Sequence, residues 1–322
     1  MKKRTLSMTL LAIMILSLTA IAWGDATNRA ISRLKDKSGK IRAKASRELS
    51  TEGHTVVPKI TRLLSDKNIE TQIRAAYILG RISYPEANSD AFKNRKRAVN
   101  ALKKLAKSEN AELRAQIASS LGSIGDIESV PSLLDLLSDD EKLVRTRAIE
   151  SLGKIDDPQA REVLKGLLIS DDAEVRILAV RALGKMHDGE TAELIIRVLG
   201  DKDNGVKLEA VKILGEIGDT KAISDLRTML ESEDPLIRVY AASSLGKLGD
   251  KSGLSVALKE AKNSDAQIRY EAILALRDIG DKNGEVVSVL KNALDDKVSI
   301  VKGAAKLALR FFGEDESQEG KD

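Results

Sequence analysis

Apolar residues fall in short runs with helical spacing, broken by polar turns. In residues 130–138, Val130, Leu133, Leu134, Leu136 and Leu137 line one stripe, with Pro131 in the first turn, where a missing N–H costs nothing. Asp139 and Asp140 follow as a turn that supplies cap acceptors. In residues 141–155, Val144, Ala148, Ile149 and Leu152 recur on one face, which predicts a second helix. Gly153 suits a close helix approach or a C-terminal cap.

This two-helix unit recurs. DDEKLVRTRAIESLGKIDD at 139–157, DDAEVRILAVRALGKMHD at 171–188 and EDPLIRVYAASSLGKLGD at 233–250 share an acidic turn, an apolar residue and a basic anchor. Ala follows three residues after the anchor, Leu at seven and usually Gly at eight. The anchors are Arg42, Gln72 (a substitution), Arg114, Arg145, Arg176, Lys207, Arg238, Arg269 and Lys302, spaced by 30, 42, 31, 31, 31, 31, 31 and 33 residues. A single hairpin cannot bury its own apolar face, so neighbours must stack on it. The expected fold is an all-α solenoid of about nine helical hairpins over residues 23–312, without a single closed core.

At these residues the chain resembles the HEAT repeat family, in particular its short-repeat branch with phycocyanobilin lyase-like repeats. The resemblance spans about residues 26–312 and speaks to fold more than to function. It implies a hydrogen-bonded ladder between adjacent repeats, made by the acidic turn and the basic anchor, and assigns Arg114, Arg145, Arg176, Arg238 and Arg269 to it. The alternative for this row is the grip of an anionic ligand. The resemblance also implies that the second helices line a concave side.

Composition adds little to fold but much to location. Aromatics are 2% and cysteines zero, so neither a disulfide framework nor thiol chemistry is expected. Met1-Lys2-Lys3-Arg4 precedes an apolar run that carries no charge until Asp25, and Ala20-Ile21-Ala22 gives a small-x-small cleavage pattern. That layout reads as a signal peptide over residues 1–22, with an uncleaved anchor as the rival, and it predicts a periplasmic or secreted protein. Charge is divided along the chain: residues 23–125 carry 21 basic and 10 acidic groups, residues 126–322 carry 29 and 39. The segment 313–322, GEDESQEGKD, reads as an acidic disordered tail.

Departures from the repeat are the better functional clues. The 42-residue step holds an insertion at 84–97, within which Asp90 would cap a lengthened first helix bearing Lys93, Arg95, Lys96 and Arg97. This basic patch is either a solvated face or a dock for an acidic protein or an anionic envelope surface. Positions two, five and nine after each anchor escape the apolar pattern and should face the concave groove. Among them Arg74, Tyr77, Arg147, Leu178, Arg181, Lys185, Lys212, Tyr240 and Lys247 are the candidate binding residues, mixing aromatic, apolar and basic groups as interfaces do. Leu178, Leu274 and Tyr240 stand out there, although scattered surface apolars need no explanation. In the last repeat Lys306 and Arg310 replace apolar and glycine positions, as a terminal cap requires.

Catalytic signatures are sparse. The two histidines, His54 and His187, lie in no metal-ligand spacing, and His187 reads as a turn residue. HEAT-type deoxyhypusine hydroxylases bind iron through His-Glu pairs, and no His-Glu dipeptide occurs here. The expectation is a monomeric, cofactor-free, metal-free protein-binding scaffold or adaptor of the envelope. A lyase-like or chaperone role akin to bilin lyases is the alternative. Nucleic-acid binding comes behind both, opposed by the acidic C-terminal half.

Overall fold

The computed structural model describes residues 25–186 and 190–314, so the N-terminal leader, His187 and the tail from residue 315 lie outside the described residues. Among the described residues every regular element is helical. Two compact units divide the chain, residues 1–160 and 161–322.

The first unit contains α1 (25–33), α2 (Gly39–Thr51), α3 (Val57–Leu63), α4 (Ile69–Arg81), α5 (Ser89–Leu105), α6 (Ala111–Ile124), α7 (Val130–Asp135) and α8 (Lys142–Leu152). The division falls within α9 (Pro158–Leu167). The second unit continues with α10 (Ala173–Leu183), α11 (Thr191–Val198), α12 (Asn204–Ile217), α13 (Ile223–Met229), α14 (Pro235–Lys247), α15 (Leu254–Glu260), α16 (Ala266–Ile279), α17 (Gly284–Ala293) and α18 (Ser299–Phe312). Odd and even helices pair as hairpins. Within each unit the even helices pack side by side in one layer, and the odd helices pack against them.

The recurring sequence positions explain this stacking. Ala148 and Leu152, Ala210 and Leu214, Ala241 and Leu245, and Ala272 and Leu276 are all fully buried, three and seven residues after their anchors. The glycine at eight lets neighbouring even helices touch. A Cβ on Gly122 would sit 2.7 Å from the Cα of Ser151, and one on Gly215 2.9 Å from that of Ser244. Serines close the seam: Ser120 Oγ donates to the Ala76 carbonyl at 2.7 Å and Ser244 Oγ to the Val211 carbonyl at 2.8 Å. Each bond ties one helix to the preceding one and satisfies a buried hydroxyl.

Local differences from the sequence reading are small and have clear causes. The fourth hairpin's first helix tightens to a 3₁₀ turn over Leu136–Ser138, and its second starts at Lys142 after Glu141, whose side chain makes no cap bond. Asp139 instead accepts the backbone N–H of Glu141 at 3.0 Å. Helix α5 is capped by Asn88, not Asp90: the Asn88 Oδ1 accepts from the N–H groups of Asp90 and Ala91. The capping side chain must stand outside the helix, and Asp90 already lies in its first turn, where its charge favours the helix dipole.

Candidate functional site

The anchor arginines are built into the turns. Arg114 Nη1 donates to the carbonyls of Ser108 (2.7 Å) and Glu109 (3.0 Å), while Nε and Nη2 grip both oxygens of Asp139 at 2.6 and 2.8 Å. Arg176 does the same with Ser170, Asp171 and Asp201. Arg269 repeats it with Asn263, Ser264 and Asp296. Arg238 uses Ser232, Glu233 and the buried Glu260. Arg145 holds the carbonyls of Asp139 and Asp140. Each carboxylate of the first three pairs also accepts a backbone N–H from its own turn, so one acid closes the turn and clasps the preceding repeat. The guanidinium beside each holds the carboxyls of Asp139, Asp201 and Asp296 below the usual aspartate range. With both edges occupied, Arg114, Arg176 and Arg269 present no fork to an external anion.

On the exposed face of the even helices, the first unit gathers Arg74 and Tyr77 into a recess of about 340 Å³ with Arg47, Glu70, Glu112 and Gln116. Glu70 pairs with Arg74 and stands 3.8 Å from Arg42, so the recess mixes both charge signs around one half-buried tyrosine. The guanidinium of Arg81 stacks 5.6 Å from the Tyr77 ring centre. Arg147, further along the same face, is tied to Glu150 at 2.8 Å within its own helix.

In the second unit Arg181 forks onto Glu209 at 2.6 and 2.9 Å, and Lys212 lies 4.1 Å from the ring centre of Tyr240. Burial, followed by a hydrogen bond with Glu271, pushes the Tyr240 phenol well above its ordinary value, which keeps it a neutral donor. Arg181 thus links α10 to α12, and Lys212, Tyr240 and Glu271 link α12, α14 and α16. Lys185 and Lys247 are exposed at the solvent edge of this face.

Leu178 does not belong to the exposed face. It is 7% exposed, whereas Arg147 at the same position of its own repeat is exposed. Leu274 is half-buried and packs on the core around α16 and α18. The exposed apolar groups lie one helix further on. Ile300, Leu307 and Phe311 are 53%, 56% and 64% exposed, at i, i+7 and i+11 of α18, on the same face as Tyr240 and Lys212 by repeat register. The sequence carried the signal: Leu307 and Phe311 stand five and nine residues after Lys302, and the groove register applied to the first eight repeats reaches them when continued to the ninth. Lys306 and Arg310, on the adjoining flank, are exposed.

The basic patch separates into bound and open groups. Arg95 contacts Asp126 at 3.2 Å and Lys96 contacts Glu128 at 2.9 Å, and both cations stack on the ring of Phe92. Lys93 touches only Asp90, at 3.4 Å, among the described residues, and Arg97 reaches Asn94 at 3.5 Å. His54 lies 3.4 Å from Asn94, a half-buried polar contact. Among the described residues no group of three His, Cys, Asp or Glu side chains is arranged to hold a metal ion.

The family model for HEAT repeats matches residues 98–176, 166–235 and 225–310, most of the chain. The chain belongs to the HEAT-repeat family. Among solved structures, this HEAT protein is similar to the E. coli protein YibA, at 22% identity over 79% of this chain and 92% of that one, with a TM-score of 0.51. It also matches the complex of CpcE and CpcF of phycocyanin lyase from Nostoc sp. PCC7120 (19% identity, 79% and 93% covered, TM-score 0.43). Human deoxyhypusine hydroxylase in complex with glycerol is a further match (20% identity, 84% and 99% covered, TM-score 0.35). At these identities the likeness is one of fold. No curated protein matches the sequence.

Proposed function

We propose that this HEAT protein is a non-catalytic scaffold that works outside the cytoplasm and holds a protein partner on the exposed face of its even helices. The observation that carries the reading is the stripe of Ile300, Leu307 and Phe311, three large apolar side chains left more than half in water on one helix. Leaving such a contiguous stripe in water is unfavourable by roughly 25 cal/mol per Å² of the area a partner would cover, so it marks a surface with an occupant. The neighbouring band of Arg181, Lys212, Tyr240 and Glu271 supplies the polar rim that gives an apolar anchor its orientation. The positively charged, apolar leader supports the extracytoplasmic location.

The test is a photo-crosslinking amino acid placed at Phe311 in living cells, with the adducts identified by mass spectrometry. A discrete protein adduct that disappears when Ile300 and Leu307 become serine supports the reading. The absence of any adduct at Phe311, at Lys247 and at Lys185 would remove the even-helix face as a binding surface. N-terminal sequencing of the purified mature chain tests export, with cleavage near Ala22 expected.

A further inference from the structure

Helix α5 is the longest of the odd helices among the described residues, 17 residues against 7 in α3. At 1.5 Å per residue it runs ~26 Å against ~10 Å, so much of its flank has no neighbour of equal length to cover it. The result is an open groove of about 680 Å³ between α3 and α5. Lys93, Lys96, Arg97 and Lys104 rim it, and among the described residues no carboxylate lines it. Lys96 is already committed to Glu128, whereas Lys93, Arg97 and Lys104 are exposed to solvent.

Spacing and floor specify what fits. Lys93, Arg97 and Lys104 stand at i, i+4 and i+11, a single row that spans ~16 Å along the helix. The gaps are ~6 and ~10.5 Å; an extended peptide advances ~3.3 Å per residue and turns alternate side chains to the same side, so carboxylates at ~6.6 Å intervals match the first gap, and the long Lys104 side chain spans the mismatch at the second. The floor contains Leu64, Ala101 and Leu105, which suit the apolar side chains between those carboxylates. Thr61, Ser65 and Asn100 offer hydrogen bonds to a backbone. A bare polyphosphate uses neither the apolar floor nor these groups, and a bilayer surface is too flat to enter a groove. We propose that the α3–α5 groove docks an extended segment of a protein partner in which acidic and apolar residues alternate. The inference rests on the protein-binding reading above, but on a different face and in the other unit.

The probe is a fluorescein-labelled synthetic peptide of about ten residues, alternating glutamate with leucine, read by anisotropy against the purified full chain. Binding should weaken as salt rises past the ~8 Å screening length of physiological buffer. The same peptide with glutamine for glutamate should bind at least tenfold more weakly. Lys93→Gln, Arg97→Gln and Lys104→Gln together should also cost about tenfold, the scale of three surface charge pairs, with the melting temperature unchanged. If the triple variant melts lower, Lys104→Gln alone carries the test, since no described group bonds its ammonium. Peptide binding that ignores these substitutions overturns the proposal. So does a tighter, triple-sensitive response to polyphosphate or to phosphatidylglycerol vesicles. The variant with Leu307→Ser and Phe311→Ser should leave peptide binding intact, which separates failure of this site from failure of the even-helix face.

Discussion

The closeness of the even helices makes one chemical change act with opposite signs at two places. Consider Gly122→Ala in α6. The new Cβ would sit 2.7 Å from the Ser151 Cα in α8, and a backbone atom cannot rotate out of the way. The two helices must part by most of an ångström. A gap of 0.5–1 Å forfeits roughly a quarter to a half of each dispersion contact along the seam. Ile117, Ala118 and Leu121 on α6 and Ala148 and Leu152 on α8 are the fully or almost fully buried groups that would feel it. Overpacking of this kind costs about 1–3 kcal/mol, and the better helix propensity of alanine returns up to ~1 kcal/mol. The net expectation is a loss of about 1–2 kcal/mol. Gly303 in α18 has nothing within 4 Å of its would-be Cβ, so Gly303→Ala should gain about 0.5–1 kcal/mol from propensity alone. Urea unfolding followed by far-UV circular dichroism measures both. Because stacked repeats can unfold in steps, amide exchange in α6 and α18 should accompany it. Gly122→Ala as stable as the parent, or Gly303→Ala less stable than it, would refute the reasoning.

Further expectations concern the clasps and the core. Arg238→Met strands the buried Glu260 carboxylate with Asn263 as its remaining described partner at 2.7 Å, and should cost about 3 kcal/mol in chemical unfolding. Adding Glu260→Gln should recover part of that loss. The depressed carboxyls of Asp139, Asp201 and Asp296 stabilise the fold at pH above their unfolded value near 3.8, and this contribution is lost as pH falls through their lower folded values. Urea midpoints should therefore hold steady from pH 7 down to about 4 and drop below that; a midpoint insensitive to acid would contradict the clasp geometry. Leu178→Ala should lower stability by about 2–4 kcal/mol, as a core truncation does, whereas Leu307→Ser should leave melting unchanged.

The fold was legible because every repeat buries the same few positions. Ala (Ile117 after Arg114) and Leu three and seven residues after an anchor meet the core in each hairpin, so periodicity in the sequence reports periodicity in space. The exposed face was harder to read. A register of two, five and nine assumes that all three positions point to water, yet Leu178 at position two is buried while Arg147 at the same position is exposed, and Arg74 and Tyr77, at positions two and five of their repeat, are half-covered. Leu307 and Phe311 emerge only when the same register is followed onto α18, and Ile300, two residues before Lys302, lies outside that register. The basic patch showed the limit of charge counting. Sequence places Arg95 and Lys96 beside Lys93 and Arg97, but which cations are spent on Asp126 and Glu128 depends on a turn thirty residues away in the chain.

Gln72 occupies the place of an anchor arginine, and its amide reaches the Asp66 carbonyl at 2.7 Å, as an arginine's would. Glutamine has one NH2 group where arginine has a fork of five N–H donors, and among the described residues it bonds no carboxylate of the following hairpin. Among the described residues the α3–α4 hairpin is therefore joined to the α5–α6 hairpin by packing, by the Ser120 hydroxyl and by the His54–Asn94 contact, without an arginine–carboxylate clasp. Under tension along the chain this coupling would slip before those fastened by Arg114 or Arg269. The α3–α5 groove straddles the same coupling, so a peptide lodged in it would brace a joint that lacks the arginine clasp.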